Sequence, residues 1–374
     1  MSISVVQIST VHFRFDVRIM YKYCHSLAED GDYAVTLLVA DGKGSVNSKG
    51  LEIEDLGRIS KNRIRRFLSG NYLVCKKLIK VKKDIYQFHD PELLPSIVFL
   101  KLMGKNVVFD MHENLPLQIL TKEYLPATAK KILSFFTKQS QRLVLRFVPV
   151  IFAEISYRKY FPKAKIHETI LNFPLLKISQ FYKTKKTGKF KFGYMGGVNI
   201  ERGTLVILEA VDKLIRQGHD VEVEFVGPVN DEILPHKIYQ DAVNNGWAKF
   251  YGRLKPEEGW SIMANCSVGL AVLQDSPNYV ESYPTKLFEY MLLQLPVIVS
   301  NFPLYAKITK ECECGIAVNP DSVEDVALAM TKMFKNSDMR NKMGINGKNA
   351  AEKQYNWESE YVKLKDFYHR TLNK

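Results

Sequence analysis

Glu281-Ser-Tyr-Pro-Thr-Lys-Leu-Phe-Glu289-Tyr-Met-Leu-Leu-Gln-Leu-Pro-Val-Ile-Val-Ser300 decides the reading of this chain. Proline suits the first turn of a helix, so a helix entered at Pro284 is expected, and the run from Pro296 to Ser300 reads as a strand covered on both faces. The start of such a helix offers unpaired N–H groups and a partial positive charge. Lys286 adds a full charge one turn in, a combination suited to phosphate. Glu281 before the helix and Glu289 within it, with seven residues between them, can reach different parts of one ligand. Carboxylates there suit hydroxyl groups better than phosphate. The spacing also allows a plainer arrangement, an exposed i,i+3 pair of Lys286 with Glu289 and a solvated Glu281.

Working outward, strands alternate with helices on both sides. Upstream, Lys191 to Met195 leads into Gly196-Gly197-Val-Asn-Ile-Glu-Arg202-Gly203 and then a helix to Gln217. Glycines let backbone approach a phosphate closely, and Arg202 can add a charge-assisted contact. There is no Gly-x-Gly-x-x-Gly, so a dinucleotide site has little support. Val221 to Gly227, Ala248 to Leu254 and Ser267 to Leu273 supply further strands, and Gln274 to Val280 forms the lip before Glu281. Gly315 to Pro320 follows, then helices to the C-terminus. This alternation predicts a parallel α/β sheet with ligands at the carboxyl ends of its strands.

Glu281 through Ser300 resembles the nucleotide-sugar signature of glycosyltransferase family 4, the retaining GT-B enzymes, of the group 1 type used in bacterial polysaccharide synthesis. The resemblance implies that Glu281 contacts the donor sugar, Glu289 the ribose and Lys286 the diphosphate. Arg202-Gly203 resembles the family's basic-glycine pair at the diphosphate, with Gly197 beside it. A second basic residue a few positions earlier is missing. Gly252 to Leu254 corresponds to the loop that holds the base, here Arg253 and Leu254, largely through backbone groups. His112-Glu113 resembles the family's N-domain histidine, which approaches the donor sugar, so His112 and Glu281 are the expected catalytic pair. The implied fold is GT-B, two Rossmann-like parallel-sheet domains facing a cleft, with the last helix crossing back. No metal or cofactor is expected, because Arg202, Lys286 and the helix dipole would stabilise the leaving diphosphate.

The N-terminal half opens with a strand, Ile3 to Ile8, and then His12, Arg14, Asp16 and Arg18 in place of the family's glycine-rich loop. His12, Arg14 and Asp16 are candidates for the acceptor side, with a solvated loop of local ion pairs as the alternative. Asp30-Gly-Asp32 is a connecting turn rather than a metal motif. Ile85 to Leu94 and Asn106 to Asn114 each begin as a strand and end in polar groups, which puts His89, Asp90, His112 and Glu113 at one sheet edge. The expected boundaries are an acceptor domain over 1–181, a linker over 182–190, a nucleotide-sugar domain over 191–356 and a final helix over 357–374.

A chain of 374 residues exceeds one ordinary core, and 46% hydrophobic with 25% charged residues is a globular composition. Five cysteines without a second close pair argue against a zinc site and for reduced thiols. The N-terminus enters a strand directly, so no signal peptide is expected. Of the 53 Lys and Arg and 40 Asp and Glu, residues 1–180 hold 28 and 16, which concentrates the net charge of +13 in the first half. Arg58 to Lys83 and Lys130 to Arg146 mix basic residues with aliphatic and aromatic ones. Such stretches read as a surface for anionic lipid, with a solvated helix face as the alternative. The expected partners are a nucleotide sugar, probed first as UDP-linked, a glycan or lipid-linked acceptor and an anionic membrane, with no nucleic acid. The expected place is cytoplasmic, at the inner face of the membrane. Rival readings are a nucleic-acid-binding protein and a GT-B protein that binds without catalysis.

Overall fold

Strands as continuously apolar as Val-Ile-Val must be covered on both faces, and helices between successive strands supply the cover. The computed structural model describes residues 2–48, 50–60, 62–120, 122, 125–182, 189–276 and 279–373. Residues 183–188 of the expected linker, 277 and 278 of the expected lip, and Lys61 of the first basic stretch lie outside the described residues. The chain forms two compact units, Met1–Asn172 with Ser359–Lys374, and Phe173–Glu358.

The first unit contains β1 (Ile3–Ile8), β2 (Tyr33–Val39), β3 (Val46–Ser48), β4 (Leu51–Asp55), β5 (Ile85–Phe88), β6 (Val107–Met111), β7 (Val150–Phe152) and β8 (His167–Thr169). Among the described residues they form one sheet in the order β3-β4-β2-β1-β5-β6-β7-β8. All neighbours are parallel except β3, which pairs antiparallel to β4 at the edge. Val6, Ile8, Phe88, Phe109 and Phe152 lie in its core. Strand β7 ends at Phe152, because the chain turns just after it, Tyr157 N–H bonding to Glu154 O at 3.2 Å. After Asp16 the chain forms a π-helical stretch, Val17–Cys24, and then an ordinary turn of helix to Asp30.

Gln7 interrupts the apolar side chains of β1, and Gln87 those of β5. Gln7 and Gln87 face each other in the β1–β5 register, and both are fully buried. Their partner comes from the end of the chain. In the helix Trp357–Leu372, the Tyr368 hydroxyl donates to Gln87 Oε1 at 2.6 Å, Tyr361 donates to Asp30 at 2.8 Å and Glu360 accepts the Leu171 N–H at 2.8 Å. The last residues therefore complete the first unit.

The second unit contains β9 (Phe190–Met195), β10 (Val221–Val226), β11 (Ala248–Phe250), β12 (Val268–Ala271), β13 (Val297–Ser300) and β14 (Gly315–Val318). Their order is β11-β10-β9-β12-β13-β14, parallel throughout. The helix Thr285–Leu292 packs on the middle of this sheet through Tyr290, whose hydroxyl accepts the Met195 N–H at 2.7 Å. Gly269 on β12 makes room for that ring, since a Cβ there would lie 2.4 Å from Tyr290 Cδ2. Gly269→Ala is expected to lower stability by about 1–3 kcal/mol through overpacking. A lower urea midpoint with an unchanged slope checks it.

Candidate active site

The helix Thr285–Leu292 begins after an extended Pro284, a residue with no side-chain cap to offer. Lys286 and Glu289 are not an exposed pair, for each is only 8% exposed. The Lys286 ammonium lies 3.9 Å from the centre of the Tyr194 ring, and its Nζ has no hydrogen-bond partner among the described residues. Burial pushes its pKa well below the ordinary lysine value; the nearby Arg202 pushes the same way, and Glu289 opposes only in part.

Arg202 approaches the same point from the other side. A Cβ on Gly196 would lie 3.0 Å from Arg202 Nη1 and 3.1 Å from Lys286 Nζ, so two cations converge on one glycine. Gly196 has φ 142°, and Gly203, directly after Arg202, has φ 75°. A Cβ on Gly203 would strike Val272 O at 1.9 Å, so only glycine lets the chain turn there and aim Arg202. The Asn199 side chain accepts the Arg202 N–H at 2.9 Å and holds the same turn. Burial lowers the Arg202 pKa, but the Tyr194 and Tyr279 oxygens that it bonds more than compensate and leave it raised.

These groups line a cavity of about 330 Å³ whose walls include Met195, Gly196, Arg202, Tyr279, Lys286 and Glu289. Trp260 donates its indole N–H to Glu289 Oε1 at 3.3 Å, fixing the carboxylate in the wall. Glu281 lies in an exposed turn. Gly197 stands behind Arg202, its Cβ position 4.0 Å from the guanidinium carbon. Arg253, exposed, and Leu254, half-buried, follow Gly252, whose carbonyl accepts the Gly227 N–H at 2.9 Å. Gly227 in turn is so close to Gly196 that a Cβ would meet its carbonyl oxygen at 1.8 Å. The Arg253 loop is thus tied to the cation pocket through two glycines. Tyr194, Tyr279 and Trp260 escaped the reading of the sequence, where an aromatic in or near a strand is indistinguishable from core.

The first unit gathers a second polar cluster at the ends of β1, β5 and β6. His12 Nδ1 lies 2.7 Å from Asp90 Oδ1, and Asp90 also accepts the Ser9 hydroxyl at 3.0 Å and the Val11 N–H at 3.1 Å. Burial lowers the His12 pKa, but the hydrogen bond and charge of Asp90 outweigh it and raise it to about 8. His89 Nδ1 lies 2.9 Å from His112 Nε2, and each lies 3.1 Å from Asp110 Oδ2. Arg18 donates to Asp110 at 2.8 and 3.1 Å. Burial alone would raise the Asp110 pKa, and Arg18 and His112 with the hydrogen bonds drive it well below the usual range. Burial holds His112 well below the ordinary histidine value. The sequence reading passed over Asp110; the one sign of it is a lone acid inside Val107-Val-Phe-Asp-Met111.

Of the residues singled out in the sequence, His12 with Asp90 and His89 with His112 come together. Arg14 and Asp16 take framework partners. Arg14 donates to Asp41 at 2.7 Å and to Gly44 O at 3.1 Å, and Asp16 caps the stretch Val17–Cys24 by accepting the Arg18 and Ile19 N–H groups. Glu113 is exposed. The ligating atoms of His89, Asp110 and His112 lie within 4.8 Å of one another. The Arg18 guanidinium already occupies Asp110, and its charge opposes a cation there, so we assign no metal.

Two outcomes follow from these charges. The folded pKa of His12 lies above its ordinary 6.5, so the His12–Asp90 pair stabilises fully below pH 6.5 and loses its effect as pH rises through about 8. Urea unfolding from pH 6 to 8.5 should show a loss of about 1–2 kcal/mol that His12→Gln lacks. Lys286 must be protonated to hold an anion, so inorganic pyrophosphate should bind with proton uptake and more weakly as pH rises. Lys286→Met should cost about ten-fold or more in calorimetric affinity.

Residues 177–350 match the family model of glycosyl transferases group 1. A search of curated proteins found no match. Among solved structures, the chain is similar to sucrose-phosphate synthase from Thermosynechococcus elongatus, 14% identical with a TM-score of 0.77, covering 98% of each chain. It is similar to a glycosyltransferase from Rickettsia africae ESF-5, 13% identical with a TM-score of 0.74, covering 99% of each chain. Anabaena HepE in complex with UDP and glucose is 12% identical with a TM-score of 0.72, covering 97% of this chain and 98% of that one. Likeness at this level of identity shows the fold, two parallel-sheet units of GT-B type with a helical C-terminus, and the family model supplies the chemistry. The chain is a glycosyltransferase of the GT-B fold, and its residues 177–350 are similar to the glycosyl transferases of group 1.

Proposed function

We propose that the protein transfers a glycosyl group, with retention at the anomeric carbon, from a UDP-sugar to a hydroxyl of a glycan or lipid-linked acceptor in bacterial surface polysaccharide synthesis. The observation that carries the donor site is the buried ammonium of Lys286, without a hydrogen-bond partner among the described residues, converging with Arg202 on Gly196. Two cations and a helix start suit a diphosphate. Glu289, fixed by Trp260, takes the ribose hydroxyls, and the loop at Arg253 and Leu254 takes the base. HepE has been solved with UDP and with UDP-glucose, which supports the choice of donor.

In this reading Lys286 and Arg202 stabilise the leaving diphosphate, whose charge they meet without calling on a metal. Glu281 orients the sugar, and His112 contacts it. The departing phosphate helps to take the acceptor proton on the face that it leaves. UDP-sugars are expected to raise the melting temperature of the protein. Glu289→Ala should lose that stabilisation while keeping the response to inorganic pyrophosphate, which separates ribose from diphosphate recognition. Slow donor hydrolysis yielding the sugar in its starting anomeric form, read by proton NMR, checks the stereochemistry; an inverted product overturns it.

The basic helices support a lipid-facing role. Ile64, Leu68 and Tyr72 on the helix Arg63–Lys80, and Ile132, Phe135 and Phe136 on the helix Ala127–Val144, stay exposed, Leu68 at 63% and Phe136 at 62%. No helix among the described residues is long and apolar enough to cross a membrane. Exposed aromatics beside lysines also suit stacking on nucleic-acid bases. Exposed Ile64, Leu68 and Ile132 have no use in stacking and favour lipid. Sedimentation with phosphatidylglycerol vesicles should retain the protein, and Lys130→Gln, Lys131→Gln and Lys138→Gln together should release it. Binding to single-stranded RNA in place of vesicles would favour the nucleic-acid reading.

A further inference from the structure

Gln7, Gln87, His89 and Tyr368 are each no more than 1% exposed, in strands and a helix otherwise packed with apolar side chains. Burying an amide is costly unless its groups are bonded, and here the bonds run in one direction. The Tyr368 hydroxyl donates to Gln87 Oε1 at 2.6 Å, which leaves its oxygen to accept the Gln7 Nε2–H at 3.0 Å. That contact orients the Gln7 amide, so that Oε1 faces His89 Nε2 at 2.7 Å. An amide oxygen only accepts, so His89 Nε2 carries a proton.

A neutral His89 then has a lone pair at Nδ1. That atom, His112 Nε2 and Asp110 Oδ2 form a triangle with sides of 2.9, 3.1 and 3.1 Å. One proton on His112 Nε2, shared between the other two atoms, satisfies the triangle. With the Gln87 amide oxygen toward Tyr368, the direction of every bond from the C-terminal helix to His112 follows, and Gln87 Nε2 is left without a partner among the described residues.

We propose that Tyr368 and Gln7 are positioning residues which, through His89, hold His112 in its Nε2-protonated tautomer and leave Nδ1 as the nitrogen that meets a ligand. The inference rests on the proposed contact of His112 with the donor sugar for its catalytic meaning, and on the hydrogen bonds alone for its structural content. Which ring nitrogen bears the proton is set by the bond that the other makes, and an imidazole in the wrong tautomer presents a donor where an acceptor is needed.

The test is long-range proton–nitrogen NMR on the full-length protein with ¹⁵N-labelled histidine, the His112 signals being identified by their loss in His112→Gln. The wild type should show His112 protonated at Nε2. Tyr368→Phe, which keeps the ring, and Gln7→Met, which keeps the length, should each give mixed tautomers, whatever they do to the melting temperature. With the donor identified, kcat should fall about ten-fold in Tyr368→Phe while the donor KM holds. A wild-type His112 protonated at Nδ1, or a tautomer unchanged in both variants, overturns the proposal even if transfer activity is confirmed. A tautomer that shifts as expected while His112→Gln retains full kcat supports the relay and removes instead the proposed role of His112.

Discussion

An ammonium group taken out of water without a hydrogen-bond partner raises the free energy of the fold, and the second unit is built to hold one. The Lys286 nitrogen sits over the Tyr194 ring, close to another cation, with a carboxylate that offsets only part of the cost. An unliganded protein could relieve this by letting the side chain swing out. Packing prevents it: the helix that carries Lys286 is pinned to the sheet through Tyr290, and Gly269 lets that ring seat closely. Gly196, Gly203 and Gly227 allow the backbone and Arg202 to crowd around the charge. The site is therefore destabilised until an anion enters, which is the condition for strong and selective anion binding.

The buried arginine of the first unit shows the opposite solution. Arg18 is 4% exposed, donates twice to Asp110 and also reaches the Ile170 carbonyl and the Tyr23 hydroxyl. Its charge is met within the protein by Asp110, although its Nη1 has no hydrogen-bond partner among the described residues. What it does is fix Asp110, on which His89 and His112 both lean. One unit thus holds a lysine whose proton is costly until an anion arrives, and the other a paired charge that sets the geometry of two imidazoles.

Much of this was legible in the chain because local rules decide it. Pro284 marks the helix start, Val297 to Ser300 the covered strand, and Gly196-Gly197 with Arg202-Gly203 the close turn that aims a cation. Glu289 was readable by its spacing from Glu281, although burial, which separates the two acids, was not. The misses are residues whose meaning comes from distant partners. Asp110 in an apolar strand, Gln7 and Gln87 in two others, and Tyr368 in the last helix carry no sign that they belong to one network; their spacing in the chain reaches 361 residues. The partners of Arg14 and Asp16 were hidden for the same reason, since only the fold brings Asp41 to the one and the Val17–Cys24 stretch to the other. The solvent exposure of Phe135 and Phe136 was equally hidden, because an aromatic at helical spacing normally packs inward.

The first unit takes its final element from Ser359–Lys374, more than 180 residues after its preceding segment ends at Asn172. During synthesis β1 and β5 leave the ribosome early, yet Gln7 and Gln87 lack their buried partner until Tyr368 has been made. The residues of the second unit, Phe173–Glu358, all precede that partner. Synthesis from the N-terminus therefore does not impose folding from the N-terminus here. The domain made first closes last, and a chain cut after Glu358 carries the whole second unit beside an N-terminal sheet whose buried glutamines lack Tyr368.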